Sequence, residues 1–112
     1  MVQDSSLSRL VYKQSEPIGM VCTLLSPSSS LYITSLGCLV LHRNQGVGKT
    51  CLDWAVDRAL HAGVDHIELH VQEINSEAVR FYQRFGFEVV ERVERMYRYL
   101  KSPAALLMVR KL

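Results

Sequence analysis

The stretch from Leu31 to Thr50 constrains the fold of this chain more than any other part of it. It reads LYITSLGCLVLHRNQGVGKT: an apolar strand, a basic turn with two glycines, and the beginning of a helix. The turn matches the spacing R/Q-x-x-G-x-G at Arg43, Gln45, Gly46 and Gly48. Glycines let a backbone approach an anion, and the free amides of a first helical turn, together with Arg43, point positive charge at it. The stretch therefore predicts a site for a phosphate-bearing ligand, although connection geometry alone can also require such glycines.

A second motif overlaps this turn and has to be weighed against it. The residues from Gly46 to Thr50 resemble the end of a nucleotide-binding P-loop. The full pattern, G-x-x-x-x-G-K-[ST], needs a glycine where this chain has Arg43. In addition, no predicted strand ends in an Asp that could hold magnesium. The sequence therefore disfavours a nucleoside triphosphatase.

Length and charge set the class of protein. With 112 residues, 48% of them hydrophobic and 21% charged, the chain is expected to form one compact soluble domain over residues 1–112. A net charge of +2 is too small to indicate nucleic acid or an anionic membrane as a partner, but it suits a small anionic ligand. No leader is evident, and no apolar run approaches the roughly 18 residues that cross a bilayer. We expect a cytoplasmic or nuclear location.

The cysteines do not form a disulfide or metal pattern. Cys22, Cys38 and Cys51 are odd in number and lie in apolar sequence, which is typical of reduced core thiols. Cys38 and His42 have no second pair at a finger-like spacing, so no metal site is predicted.

Apolar periodicity predicts secondary structure in the order β-β-β-α-β-α-β-β, with short links between the elements. This order indicates a mixed α/β sheet with helices packed on its faces. Gly37, inside the long apolar strand, indicates a bulge or a close approach of another backbone or a ligand. The predicted strands cover residues 7–13, 18–25, 31–41, 66–71, 87–93 and 104–112. The predicted helices cover residues 46–62 and the segment between Asn75 and Gly86. The buried side of the second helix would consist of Ala78, Phe81, Tyr82 and Phe85.

Several of these motifs, in this order, resemble a known family. The glycine turn after an apolar strand, then LHVQ, then Asn75, then FYQRFGF at 81–87 is similar to the GNAT acetyltransferases. More narrowly, LYITSLGCL, IELHVQ and RFYQRFGFEVVE resemble the catalytic subunits of the N-terminal acetyltransferase E (NatE) complex, from about Leu10 onward. The resemblance implies a GNAT-like, mostly antiparallel sheet that lacks the family's initial strand and two helices.

The same resemblance implies a reaction. It is the transfer of acetyl from acetyl-CoA to the α-amine of a protein N-terminus, with Met followed by an apolar residue as the preferred acceptor and coenzyme A as the product. An auxiliary subunit of the complex is a further candidate partner, and no nucleic acid or membrane is implied. The family's initial helices supply half of its peptide groove, so we expect a half-open acceptor side. Two alternatives stay open: a non-catalytic module that keeps the fold or the cofactor affinity, and a lysine acetyltransferase.

The family pattern also assigns cofactor residues. Pantetheine would pair with the backbone of the long strand, and the diphosphate would lie on the turn and the helix start, with the second helix lining the far side. The residues implied are Leu36, Gly37, Cys38, Leu39 and Val40 for pantetheine, Arg43, Asn44, Gln45, Gly46, Val47, Gly48 and Lys49 for the diphosphate, and Asn75 and Tyr82 on the far side.

Three side chains match the family's catalytic groups. Tyr32 and His70 would draw the proton from the amine through an ordered water, and a free amine with a pKa near 8 needs only a modest base. Tyr82 would donate to the departing sulfur, and the Leu36 amide, freed by a bulge at Gly37, would stabilise the oxyanion. Without the family match, each side chain could equally be a packed residue of the core.

Residues implied in acceptor binding lie on the long strand and near the end of the chain. They are Thr34, Met96, Tyr97, Arg98 and Tyr99. Met96 stands where the family has the first of two adjacent tyrosines. We therefore expect peptide affinity and selectivity to differ from those of the family.

Overall fold

A computed structural model describes residues 6–26, 29–38, 46–94, 96 and 104–112. Within these residues the chain forms a mixed α/β fold with six strands in a mostly antiparallel sheet and two helices, as the sequence predicted. The elements are β1 (Ser6–Lys13), β2 (Glu16–Ser26), β3 (Ser30–Cys38), α1 (Val47–Ala62), β4 (His66–Gln72), α2 (Ser76–Arg84), β5 (Glu88–Val93) and β6 (Ala105–Lys111). No helix in the described residues is long and apolar enough to cross a membrane.

The chain divides into two compact units. The first unit contains the described residues up to Ile67 together with Leu112, and the second unit contains residues 68–111. Strand β4 begins in the first unit and continues in the second.

In the first unit, β1, β2 and β3 form an antiparallel meander covered by α1. The helix begins after Gly46 and ends at Gly63, both in the left-handed conformation that glycine adopts without a steric penalty. The Arg58 Nε on α1 donates to the hydroxyl of the buried Thr23 at 3.3 Å, which marks the face of β2 that α1 covers. The core consists of Val21, Leu31 and Ile33 from the strands and Val47, Cys51, Leu52, Ala55 and Ala59 from the helix.

The predicted bulge lies in β3, but not at Gly37. Ser35 pairs with Cys22 whereas Ile33 pairs with Thr23, so Thr34 is the extra residue. The Thr34 hydroxyl donates to the Cys22 carbonyl at 3.2 Å and so bonds across the irregular pairing. Gly37 stays in regular register, and a Cβ placed there would make only an ordinary contact. The predicted position was wrong because a bulge depends on pairing with β2, which one strand's sequence does not reveal.

The second unit contains the remainder of β4, then α2, β5 and β6, with the strands in the order β4-β6-β5. Asn75 caps α2 as predicted, its side-chain oxygen accepting from the Ala78 amide at 3.1 Å. No residue of α2 is fully buried; the four residues predicted for its buried side are only half-buried. The rings of Phe81, Tyr82 and Phe85 pack against one another and against the buried Phe87, whose centroid is 5.6 Å from that of Tyr82.

Candidate functional site

The start of α1 keeps the chemistry that the sequence predicted for an anion site. Gly46 precedes the helix with φ 79°, no side chain within the described part of the chain caps the helix, and its first turn carries no acidic residue. A helix N-terminus of this kind leaves main-chain amides without side-chain partners, and its dipole favours a negative ligand. Val47 is buried, and Gly48, the next residue in the sequence, is half-buried. Leu39, Val40, Arg43, Asn44 and Gln45, also predicted for this site, lie outside the described residues.

Two polar side chains of the first turns of α1 have partners inside the protein. The Lys49 ammonium pairs with the Asp53 carboxylate at 2.8 Å, and both side chains are exposed. The Thr50 hydroxyl donates to the Gly46 carbonyl at 2.9 Å.

The bulge in β3 separates candidate residues that simple alternation would place together. Tyr32 pairs with Leu24, and Gly37 pairs with Met20. Leu36 pairs with Val21, which is fully buried. Tyr32 and Leu36 therefore point to opposite faces of β3, with Leu36 on the face that α1 covers. Tyr32 is half-buried and held by an interaction within the protein.

Thr34 lies at the bulge itself with its side chain exposed, and Cys38 pairs with Gly19 at the end of the strand. Leu36 is in regular register with β2, so the bulge of that pairing does not lie at Gly37, and the role of the Leu36 amide stays a prediction.

His70 is positioned by the alternation of β4. Leu69 and Val71, on either side of it, are buried, so His70 projects from the other face together with Glu68 and Gln72. The imidazole is half-buried and takes part in an interaction within the protein. This placement is compatible with a base and equally with a packed histidine.

The two residues predicted for the far side of the cofactor site lie beside and on α2: they are Asn75 and Tyr82. Capping uses the amide oxygen of Asn75, which leaves the two N–H donors of the same side chain for a ligand. The ring of Tyr82 packs edge-on against Phe81 and Phe87, and the residue is half-buried. Met96 is 40% exposed, whereas Tyr97, Arg98 and Tyr99 lie outside the described residues.

The structure also contains a charged group that the sequence did not suggest. Arg92 forms ion pairs with Glu73 and Glu94. The hydrogen bond from the Arg92 guanidinium holds the pKa of Glu73 below its ordinary value. Glu73 and Arg92 are 19 residues apart and belong to no motif, so only strand pairing could reveal them.

Comparison with known proteins defines the class. The model of the GNAT acetyltransferase family matches residues 2–87. The chain therefore belongs to the GNAT family of acetyltransferases.

Two relatives show which members of the GNAT family this chain resembles. N-alpha-acetyltransferase 50 of Danio rerio is 34% identical over an alignment of 109 residues that covers 94% of this chain and 65% of that protein. The probable N-acetyltransferase san of Drosophila melanogaster is 33% identical, over 94% of this chain and 59% of that protein. The chain thus spans less than two thirds of the length of either relative.

A solved structure gives the same result. Arabidopsis thaliana Naa50, in complex with the bisubstrate analogue CoA-Ac-MVNAL, superimposes with a TM-score of 0.83 and 26% identity, covering 94% of this chain and 72% of that one. The resemblance to the GNAT family and to NatE catalytic subunits is confirmed, while the roles of individual residues stay predictions.

Proposed function

We propose that this chain transfers acetyl from acetyl-CoA to the N-terminal α-amine of proteins that begin with Met. The observation that carries the proposal is the start of α1: a left-handed glycine, no side-chain cap and no acidic residue, in a chain of the GNAT family. The name of the Danio rerio relative and the analogue bound to the Arabidopsis protein, whose peptide part begins with Met, support this choice of acceptor.

The residues at the start of α1 fit a diphosphate. The amides of Val47 and Gly48 lie in a helical turn without a carboxylate, so an anion there would meet the positive end of the dipole. In this proposal Arg43 adds a full positive charge. Acetyl-CoA, when bound, supplies an acetyl group activated as a thioester.

The remaining chemistry belongs to side chains of this chain. His70 takes the proton from the α-amine, whose pKa near 8 makes a modest base sufficient. Tyr82, held by its neighbours Phe81 and Phe87, gives a proton to the departing sulfur. Removing a general base of this kind lowers the rate by about 10² to 10⁴-fold.

The proposal is tested by incubating the purified chain with acetyl-CoA and a peptide beginning Met-Leu while free thiol is measured. We expect turnover that His70→Ala lowers by about 10²-fold or more. The matched control is His61→Ala, because His61 is an exposed histidine on α1. Equal turnover in both variants would remove His70 from the mechanism.

Two other outcomes separate the alternatives. A peptide with a blocked N-terminus and a single lysine reports lysine acetylation, and its preferential use would contradict the α-amine assignment. Acetyl-CoA binding without turnover would identify a binding module.

A further inference from the structure

Two arginines flank the single tryptophan of the chain, and all three residues belong to the first unit. The Arg9 guanidinium on β1 lies over the Trp54 ring, with its Cζ 5.4 Å from the ring centroid. Arg58 follows Trp54 by one turn of α1, a spacing that places two side chains next to each other on a helix. We call Arg9, Trp54 and Arg58 the arginine cluster.

Arg58 is held in one orientation by a buried hydroxyl. Its Nε donates to the Thr23 hydroxyl at 3.3 Å, and this hydroxyl donates to the Leu7 carbonyl at 2.9 Å. Thr23 is only 1% exposed, so the anchor of the guanidinium belongs to the packed interior. Because a guanidinium is planar, fixing Nε also fixes the direction of the two Nη groups, which keep their own N–H donors for a ligand.

The register of β1 brings Arg9 to the same surface. Leu7 and Arg9 are two positions apart in the regular part of β1, so their side chains lie on the same face of the strand. Leu7 pairs with Thr23, which anchors Arg58, and Arg9 pairs with Val21. The two guanidiniums are therefore neighbours on either side of the indole.

Neither guanidinium has an acidic partner among the residues that the structure describes. On the same helix, Asp53 pairs with Lys49 at 2.8 Å, and Asp57 is adjacent to Arg58 in sequence and so does not face it. Two neighbouring cations without a counter-charge repel each other, and an anion bound between them removes that repulsion. The arginine cluster thus has the charge of an anion site.

The donors of the cluster fit a phosphate monoester. Such a group carries a charge of about −1.5 to −2 at pH 7 and several strong acceptor oxygens, whereas a carboxylate brings a single charge. Guanidiniums bind phosphate through parallel N–H donors, and arginine clusters commonly recognise phosphorylated side chains. Leu7, next to the cluster, is 40% exposed and offers an apolar contact to the molecule that carries the phosphate.

We propose that Arg9 and Arg58 form a binding site for a phosphate monoester, with Trp54 between them. The site is separate from the proposed diphosphate site, because Trp54 and Arg58 lie about 10 and 16 Å along the helix axis from Val47. It therefore does not rest on the proposed acetyl transfer. A free small phosphate and a phosphorylated side chain of another protein share this chemistry.

Trp54 provides the readout, because it is the only tryptophan in the sequence. The probes are inorganic phosphate and an N-terminally blocked peptide, Ala-Ala-phosphoserine-Ala-Ala, each titrated at constant ionic strength. We expect a saturable change in tryptophan fluorescence, with affinities measured by calorimetry. Arg9→Gln and Arg58→Gln should each weaken binding roughly 10-fold, since each removes hydrogen bonds to a charged group. Lys13→Gln is the matched control, because Lys13 is an exposed cation on the same strand, and its affinity should stay within about two-fold of the unmodified chain.

The two probes also identify the source of the phosphate. Tighter binding of the phosphopeptide indicates a phosphorylated protein, and tighter binding of inorganic phosphate indicates a small molecule. The proposal is wrong if neither probe binds saturably, if Lys13→Gln weakens binding as much as Arg58→Gln does, or if a peptide with Glu in place of phosphoserine binds equally well. Because Arg58→Gln loses its bond to Thr23, urea denaturation of each variant is measured in parallel. If Arg58→Gln does not fold, Arg9→Gln, a change at an exposed residue, decides the test alone.

Discussion

At the scale of single residues, Lys49 has a local partner as well as a predicted ligand. Its ammonium pairs with Asp53 one helical turn further along α1. The sequence predicted Lys49 for the diphosphate, beside the left-handed Gly46 and the amides of Val47 and Gly48 at the start of α1. An exposed pair at this spacing is worth only about 0.3–0.5 kcal/mol, so a bound anion can compete with Asp53 for the lysine.

This competition can be measured. Asp53→Asn removes the partner of Lys49, and we expect acetyl-CoA to bind roughly two-fold more tightly, the factor that the pair's free energy allows. Isothermal titration calorimetry gives the affinity. Asp57→Asn is the control, because it makes the same change of net charge one turn away on the same exposed face. If both variants alter the affinity for acetyl-CoA equally, Lys49 does not contribute to binding of the diphosphate.

Single residues also show which features could be predicted from the sequence and which could not. Gly46, Gly63 and Asn75 end or cap helices where predicted, because capping involves neighbours within four positions. Arg92 and Glu73 were missed, because their pairing depends on which strands lie side by side.

At the scale of elements, the contact between β2 and α1 fixes the start of the helix. A Cβ placed on Gly19 would lie 2.4 Å from Val47 Cγ1 and 3.1 Å from the Gly37 carbonyl. Real Cβ atoms do not approach that closely, so glycine at this position lets the first residue of α1 sit against the strand. Gly37, which the sequence singled out, has no such constraint.

The contact yields a prediction for Gly19→Ala. The added methyl must displace Val47, and we expect a loss of about 1–3 kcal/mol in the free energy of unfolding, measured by urea denaturation. Acetyl-CoA should also bind more weakly, because the amide of Val47 belongs to the proposed diphosphate-binding site.

Adding Val47→Ala to this variant makes room and should restore part of the stability. Gly37→Ala is the control, with its Cβ 3.7 Å from Met20 Cγ. If the two single variants are equally stable, the close approach at Gly19 is not a constraint.

At the scale of the whole molecule, the proposed function predicts that the cofactor stabilises the fold. Acetyl-CoA at 100 times its dissociation constant should add about 2.7 kcal/mol to the free energy of unfolding. For a chain of this size the shift in Tm is about 10–20 °C. Differential scanning fluorimetry measures it. Pantetheine, which lacks the diphosphate, is the control; if it shifts Tm as much as acetyl-CoA does at the same concentration, the start of α1 is not a phosphate site.

By itself, the sequence determined the order of the elements, the helix ends, the alternation of β4 and the GNAT family. All of these are encoded by residues that are close in sequence, through periodicity, capping and motif spacing. Tertiary structure alone decided that the bulge falls at Thr34, that Tyr32 and Leu36 point to opposite faces of β3, and that Arg92 joins Glu73. The physical reason is register: a shift of one residue between paired strands reverses which side chains face the core and which partners they meet.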